Sequence, residues 1–308
     1  MARRKKGNPV HGWLILDKPS GISSAQAVSA VRRVFAAQKA GHSGTLDPLA
    51  TGILPIALGE ATKTVPYVMD TDKAYDFVIR WGESRTTDDK EGAVLATSDV
   101  RPDVADIEAA LEAFVGDIQQ TPPQYSAIKL AGERAYDIAR SGEEVALQPR
   151  VVTIHQFELV EMIDRDHARF HVESGKGAYM RALARDLAIA VGSVGHIADL
   201  RRLRVGPFTE DDAISLDSLT ALVDNPAAFE HLRPVETALD DIPALALMGP
   251  EASTLRNGQG VPVFRAADRS RFGDLREGDT VYATEAGVPV AIARIEEGLI
   301  RPVRVLNL

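Results

Sequence analysis

The sequence predicts an α+β fold, in which helices flank a mixed β-sheet and a small β-barrel follows near the C-terminal end. Segments with strand alternation and segments with helical spacing are interspersed between residues 13 and 191. Three short strand segments separated by glycine-containing turns then follow between Thr280 and Leu306. A chain of 308 residues exceeds the usual size of one compact domain, so a large unit and a smaller one are expected.

The first 60 residues predict a strand, a helix and a long loop in that order. Residues 13–16 are an apolar run typical of a buried strand, and a serine cap at Ser23 or Ser24 begins the helix. This helix is predicted to end near Gly41. Its apolar face contains residues at helical spacing, namely Val28, Val31, Val34 and Phe35. The segment from Gly41 to Gly59 has four glycines and two prolines, which predict an anchored loop.

Strands and helices continue to alternate after this loop. In residues 74–81, Tyr75, Phe77, Ile79 and Trp81 share one face, as in a half-buried strand. The further predicted elements are a helix at 104–114, an insertion at about 116–142, strands at 151–160 and 168–173, and a helix carrying Leu183, Leu187 and Val191. The acidic, proline-interrupted stretch from Gly206 to Ala244 is interpreted as a connection to the second unit.

Composition excludes several classes of protein. No apolar run approaches the roughly 20 residues needed to cross a bilayer, so no membrane association is expected. The chain has no cysteine, which excludes disulfides and thiol catalysis and fits a cytoplasmic location. The basic start at Arg3 to Lys6 has no apolar segment after it, so it is not a secretion signal. The net charge of −9 opposes phosphate binding unless basic residues cluster locally.

Cofactor and metal motifs are missing as well. The sequence contains neither the P-loop pattern nor the dinucleotide fingerprint, and it has no G-x-S-x-G elbow. His167 and His171 lie four residues apart, but no carboxylate accompanies them at a metal-ligand spacing. We therefore expect no cofactor and no metal.

Asp47 is the candidate catalytic residue that remains. The following proline disfavours helical backbone at Asp47, and the flanking glycines allow a tight path, so the carboxylate is held in one direction. A carboxylate held in this way can act as a nucleophile. The alternative is that Asp47 and Pro48 merely initiate a turn, and spacing by itself favours that alternative.

Several segments in a fixed order resemble the bacterial pseudouridine synthases of the TruB family. The most specific match is the segment at 41–52, GHSGTLDPLATG, followed at 56–63 by IALGEATK. The others are LDKPSGISS at 16–24, KAY at 73–75, TPPQYSAIK at 121–129, SGKGAYMR at 174–181 and LRRLR at 200–204. Together they span about residues 10–210. Because co-linear motifs are more specific than one motif, the resemblance favours the catalytic interpretation of Asp47.

The resemblance implies a reaction, the isomerisation of uridine-55 in the T-arm loop of tRNA to pseudouridine. The N1–C1′ bond breaks, the uracil turns, and C5 bonds to C1′, so the reaction needs no cofactor. The target base is flipped out of its folded loop beforehand. The family pattern implies an enzyme that acts on tRNA as a monomer without an obligatory protein partner.

The same resemblance assigns roles to individual residues. Asp47, Arg181 and Tyr75 are the catalytic residues, with Arg181 favouring the ionised aspartate and Tyr75 stacking on the target base. The substrate-binding positions are His42, which supports base flipping, Lys18, Lys63, Tyr179 and Leu200 in the pocket, and Lys129 and Arg134 in an RNA-gripping thumb. Two alternatives remain from the residues themselves: Arg181 could pair with Asp186, and Tyr75 could be an ordinary core residue.

Domain boundaries follow from the resemblance too. Residues 1–240 are expected to form the catalytic unit with a pseudouridine synthase fold, whose mixed central sheet is largely antiparallel and flanked by helices. The thumb-like insertion occupies about 116–142. Residues 241–308 are expected to form a PUA-like RNA-binding domain, although this segment matches loosely and could instead be a stabilising domain. A smaller departure is Ser43, where the family commonly has threonine.

Two other functions compete with the stand-alone enzyme. One is a tRNA-folding chaperone or RNA-binding protein whose catalysis is incidental. The other is the guide-RNA-dependent relative that works inside a protein complex. The thumb-like insertion argues against this second alternative.

Overall fold

The computed structural model describes residues 7–125, 147–262 and 275–308, together with the backbone of 129–130 and 133–134. In chain order, the strands are β1 (Gly12–Lys18), β2 (Ala40–His42), β3 (Thr51–Leu58), β4 (Lys73–Trp81), β5 (Glu83–Arg85), β6 (Val94–Thr97), β7 (Gly116–Gln120), β8 (Lys129–Leu130), β9 (Glu133–Arg134), β10 (Arg150–Met162), β11 (His167–Ser174), β12 (Gly195–Val205), β13 (Ile214–Ser215), β14 (Leu232–Arg233), β15 (Ala244–Ala246), β16 (Val261–Pro262), β17 (Thr280–Glu285), β18 (Val288–Glu296) and β19 (Leu299–Val305).

The α-helices lie mainly in the first 256 residues. They are α1 (Ser24–Val34), α2 (Val65–Met69), α3 (Val104–Leu111), α4 (Met180–Ala190), α5 (Leu216–Thr220) and α6 (Gly249–Arg256), and short 3₁₀ helices occupy Gly59–Lys63, Glu112–Phe114, Glu210–Asp212, Pro226–His231 and Val235–Leu239. None of these described helices is long and apolar enough to span a membrane.

The first helix begins where the sequence predicted and ends earlier. Ser23 is the N-cap, and its side chain and that of Gln26 form a capping box. The helix stops at Val34, well before Gly41, because residues 40–42 form β2 and pair with β3. The catalytic candidate Asp47 therefore lies in a loop bounded by two adjacent strands.

The central sheet has the order β13-β1-β3-β12-β4-β11-β10-β7, with β14 on β1 and β2 on β3. The pairs β1–β13 and β3–β12 are parallel, and the other pairs are antiparallel. The prediction of a mixed, largely antiparallel sheet flanked by helices is thus confirmed. Strand β12 lies between β3 and β4, which brings three distant parts of the chain together.

The predicted insertion at about 116–142 begins too early. Residues 116–120 form β7, which pairs antiparallel with β10 at the edge of the central sheet. Only the chain after Gln120 leaves the sheet. Within that part, β8 and β9 pair as a two-residue ladder. The other residues between 126 and 146, which include much of the predicted thumb, lie outside the described residues.

A five-stranded sheet in the order β15-β17-β18-β19-β16 forms the small C-terminal β-unit, a half-barrel. It has its own apolar core, which includes Val281 and Ile295. A further core cluster joins it to the catalytic part, since Ile292 and Leu306 pack in one cluster with Trp13. Burial of these side chains stabilises the contact between the two units.

Candidate active site

A pocket of about 270 Å³ opens at the end of the central sheet where β1 ends and β3 and β4 begin. Its walls come from the loop before β3, the start of β4, the segment between β11 and α4, and β12. The lining includes Asp47, Tyr75, Tyr179, Arg181, Leu200 and Arg202. The fold therefore brings five of the residues predicted for the site into one cavity.

The loop that carries Asp47 is anchored on both sides. The hydroxyl of Ser24, at the start of α1, donates to the carbonyl of Leu46 and accepts from its N–H, each at 2.9 Å. On the other side, the ammonium of Lys18 donates to the carbonyl of Pro48 at 3.3 Å. Lys18 is fully buried, and this burial lowers the pKa of its ammonium to about 8. The loop is thus fixed to β1 and α1 before any substrate binds.

Asp47 and Arg181 form an ion pair across the pocket. Arg181 Nε lies 3.0 Å from Asp47 Oδ2, and Nη2 lies 3.4 Å from Oδ1. The Asp47 side chain is 34% exposed and that of Arg181 only 6%, so the carboxylate is the partner that a substrate can reach. Burial raises the pKa of Asp47 above its ordinary value, while Arg181 opposes this change. Asp186, the alternative partner of Arg181, pairs with Arg185 instead.

Arg181 is held by backbone carbonyls from two other segments. Its Nη1 donates to Thr87 O and its Nη2 to Tyr125 O, each at 2.8 Å. The carboxylate of Asp89, which is buried, lies 3.7 Å from Nη1. The helix dipole disfavours a cation near the N-terminus of α4. The two carbonyl acceptors and the nearby carboxylate stabilise the guanidinium there.

The position of Tyr75 is compatible with both of the roles that the sequence left open. It packs against the main apolar core, and it also lines the pocket. Its hydroxyl forms a side-chain hydrogen bond with Arg202, whose backbone pairs with Tyr75 across β4 and β12. The ring is therefore fixed at its base by the sheet and at its hydroxyl by Arg202.

The sequence reasoning missed three residues of this site: Lys73, Asp89 and Arg202. Leu200 was identified, and Arg202 is two residues further along the same strand, so strand alternation would have placed both side chains on one face. Lys73 lies two residues before Tyr75 on β4 and could have been found in the same way. Asp89 lies in a turn rich in charged residues, and no sequence pattern distinguishes it.

Comparison with known proteins identifies the family. Residues 32–180 match the model of the TruB family pseudouridylate synthase N-terminal domain, and residues 181–240 match the tRNA pseudouridylate synthase B C-terminal domain. A tRNA pseudouridine synthase B from Rhodospirillum rubrum is 53% identical over 308 residues, covering 100% of both chains. The chain belongs to the TruB family of pseudouridylate synthases.

A second relative agrees with this membership of the TruB family, and two solved structures agree with the fold. The tRNA pseudouridine synthase B of Caulobacter vibrioides is 54% identical over 309 residues and covers 100% of both chains. A crystal structure of a Cbf5-Nop10-Gar1 complex matches with a TM-score of 0.73 and 25% identity, over 96% of this chain and 84% of the other. A structure of an H/ACA RNP bound to a substrate RNA containing 2′-deoxyuridine matches with a TM-score of 0.74 and 21% identity, over 100% of this chain and 92% of the other. The predicted pseudouridine synthase fold is confirmed.

Not all residues assigned from the TruB family pattern line the pocket. Lys18 contacts the Asp47 loop from behind, as described above. His42 lies on β2, outside the lining, where burial and the nearby Arg202 lower the pKa of its imidazole. Lys63 lies apart from the pocket, and its ammonium contacts Glu60 Oε2 at 2.6 Å and Val305 O at 2.7 Å. Lys63 was predicted to line the pocket, but in the structure these two oxygens hold its ammonium away from the pocket.

Two further substrate-binding residues lie at the edge of what the structure describes. The backbone of Lys129 and Arg134 is paired between β8 and β9, but their side chains lie outside the described residues. Their contacts with RNA remain a prediction of the TruB family pattern.

The histidines do not form a metal site in the described residues. His171 Nδ1 lies 2.7 Å from Asp76 Oδ1, and His167 Nδ1 lies 2.9 Å from Asp164 Oδ1. Each is a separate pair, and no cluster of three potential ligands is found in the ranges given above. The pocket consequently offers carboxylate, guanidinium and phenol groups for chemistry.

Proposed function

We propose that this chain isomerises uridine-55 in the T-arm loop of tRNA to pseudouridine, with Asp47 as the catalytic carboxylate. The observation that carries the proposal is the Asp47–Arg181 pair, in which a reachable carboxylate faces a buried cation beside Tyr75. Full-length relatives that are 53% and 54% identical bear the name tRNA pseudouridine synthase B, which supports tRNA as the substrate.

The proposed reaction balances without a cofactor. The N1–C1′ bond of uridine breaks and a C5–C1′ bond forms within the same nucleotide. C5 loses its proton, and N1 of the turned base gains one from solvent. Asp47 acts in its ionised form, either by attack on the nucleotide or by assisting the removal of a proton, and Arg181 stabilises that form. Tyr75 stacks on the flipped base and helps to move the C5 proton.

We also propose that the purified chain acts alone, in the cytoplasm, as a monomer. RNA binding by the half-barrel unit and by the thumb around Lys129 and Arg134 completes the proposal. It extends the contact surface beyond one nucleotide.

The test uses unmodified tRNA and the purified protein, with chemical mapping of pseudouridine as the readout. We expect modification in the T loop with the wild type and none with Asp47→Asn, since the amide cannot replace the ionised carboxylate. Asp164→Asn is the matched control, because Asp164 is exposed and its carboxylate contacts its neighbours His167 and Asp166. A folded wild-type protein that forms no pseudouridine in tRNA refutes the proposal and favours the RNA-folding alternative.

A further inference from the structure

Arg202 lines the pocket, and its side chain contacts β3, the loop that carries Asp47, and Tyr75. Its side chain is 2% exposed. Nε donates to Ile53 O at 2.8 Å, Nη2 donates to Gly44 O at 3.0 Å, and the guanidinium also hydrogen-bonds the hydroxyl of Tyr75. One side chain thus links β3, the Asp47 loop and the tyrosine.

Two glycines of the segment at 41–52 are explained by this arginine. Gly52 has φ +96°, and a Cβ there would lie 2.1 Å from the carbonyl oxygen of Arg202. Gly44 has φ +80°, and a Cβ there would lie 3.2 Å from Arg202 Nη1. A side chain at either position would meet Arg202, so the glycines let the loop close around it.

The charge of Arg202 is unusual in its setting. Its neighbours Arg201 and Arg204 form ion pairs with Asp17 and Glu173, whereas Arg202 forms no direct ion pair among the residues that the structure describes, and Asp47 acts on it from a longer distance. A buried cation without a directly paired counter-ion is costly. An apolar side chain of similar volume would fill the space but could not donate to Ile53 O and Gly44 O. These two hydrogen bonds give one reason for a guanidinium, the anchoring of the Asp47 loop, and a second reason concerns the reaction.

The hydrogen bond to Tyr75 supplies that reason. A guanidinium can only donate, so the oxygen of Tyr75 must accept from Arg202. The hydroxyl proton of Tyr75 must then point away from Arg202. We propose that Arg202 is a positioning residue, which fixes the hydroxyl of Tyr75 for movement of the C5 proton of the flipped base. This inference rests on the proposed function.

In the proposed step, the tyrosine oxygen takes the proton from C5 after the C5–C1′ bond has formed. The electron pair of the C5–H bond returns to the ring and restores its double bond. The proton of the hydroxyl, directed away from Arg202, passes to solvent ahead of the transfer from C5. This loss places negative charge on the oxygen, next to the guanidinium that stabilises it, and the oxygen becomes neutral again when it takes the C5 proton.

The test separates this role from a purely structural one by an isotope effect. Single-turnover rates are measured for wild type, Arg202→Lys and Arg202→Gln on tRNA carrying uridine with hydrogen or deuterium at C5. We expect both variants to bind tRNA with unchanged affinity and to react about 10- to 100-fold more slowly. Their rates should show a larger deuterium effect than the wild type, since removal of the C5 proton becomes limiting.

A displaced Asp47 loop gives a different result. It would slow the breaking of the N1–C1′ bond, and the deuterium effect would not increase. Slow variants with an unchanged deuterium effect overturn the proposal, and so does failure of both variants to fold, which would assign Arg202 to the core. In a Tyr75→Phe background, Arg202→Lys should have no further effect on any residual rate. A wild type that forms no pseudouridine instead refutes the proposed function itself.

Discussion

At the scale of single residues, Asp47 is governed by two opposing influences. Burial disfavours its charge and raises the pKa of the carboxyl, and the adjacent Arg181 favours the charge and lowers it. Asp89 adds a second negative charge on the far side of Arg181, which weakens this help. The fraction of Asp47 that is ionised near neutral pH therefore depends on Arg181 being charged and in place.

This balance predicts how the rate depends on pH. In the proposed mechanism the carboxylate is the active form, so the single-turnover rate should fall as the pH decreases through the raised pKa of Asp47. In Arg181→Gln the burial remains and the cation is lost, so the acid limb should move to higher pH. The rate at its plateau should also fall about 100-fold or more.

Rates measured from about pH 5 to pH 9 would show this limb. Arg169→Gln is the control, because Arg169 forms an exposed pair with Glu161 far from the pocket in the fold. An acid limb that stays in place in Arg181→Gln would contradict the assignment of Arg181 as the stabilising cation.

Sequence motifs located the residues proposed to react but not all of the groups that hold them. Asp47, Tyr75 and Arg181 were identified from three separate motifs, and the structure brings them into one pocket. Arg202 was seen only as part of the LRRLR motif at 200–204 and was given no role. Its importance comes from lying between β3 and β4, and the order of strands in a sheet cannot be read from the periodicity of each strand.

At the scale of elements, helix α4 presents two arginines one turn apart toward the same pair of segments. Arg181 donates to Thr87 O and Tyr125 O. Arg185 pairs with Asp88 at 3.0 Å and donates to Thr121 O at 2.8 Å. The helix thereby ties the turn that carries Asp89 to the chain that leads from β7 into the predicted thumb.

Breaking the second of these ties should weaken tRNA binding more than catalysis. In Arg185→Ala, the chain at Thr121 loses its anchor and must be ordered again when RNA binds. We expect the KM for tRNA to rise about 3- to 10-fold, from roughly 1 kcal/mol of added ordering cost. The kcat should change less, because Arg181 keeps its contact with Asp47. Steady-state kinetics with unmodified tRNA measure both.

Arg169→Ala is the control here, because it removes an arginine at the exposed position that was used for the pH control. A fall in kcat with an unchanged KM would mean that Arg185 acts on the reacting groups and not on the predicted thumb.

The outcome for individual elements shows where periodicity is sufficient. Strands with clear alternation, such as β4 and β11, were predicted to within two residues. Strand β7 was missed because its alternation is short and it precedes a proline pair, so the segment was interpreted as part of an insertion. The early end of α1 has a tertiary cause, since pairing of β2 with β3 removes residues 40–42 from any helix.

At the scale of the whole molecule, the junction between the catalytic part and the half-barrel combines an apolar cluster with a polar contact. Ile292 and Leu306 pack with Trp13, as described above. Beside them, the carboxylate of Glu60 accepts from the ammonium of Lys63 and from the N–H of Asn307, the latter at 2.8 Å. The polar contact ties the last strand, β19, to the helical turn at Gly59–Lys63.

The length of the chain and the three strand segments between Thr280 and Leu306 predicted two units, but they did not predict this contact between them. Lys63 was assigned to RNA binding from the motif it belongs to, and its partner Val305 is 242 residues away in sequence. No local pattern could relate the two positions. The structure therefore gives Lys63 a second possible role, as a residue that holds the half-barrel in place.

Replacement of Lys63 by methionine distinguishes the two roles, because methionine keeps the apolar stem and removes the charge and the donors. If Lys63 holds β19, the backbone amide hydrogens of β19 should exchange faster in Lys63→Met than in the wild type. The increase should be about 3- to 10-fold, as expected for loss of a partly exposed contact of roughly 1 kcal/mol. Hydrogen exchange followed by mass spectrometry measures this, with peptides from β4 as the internal reference. Lys176→Met, which removes a mostly exposed pair with Asp70, should leave β19 unchanged. Unchanged exchange in Lys63→Met together with weaker tRNA binding would instead return Lys63 to the RNA surface.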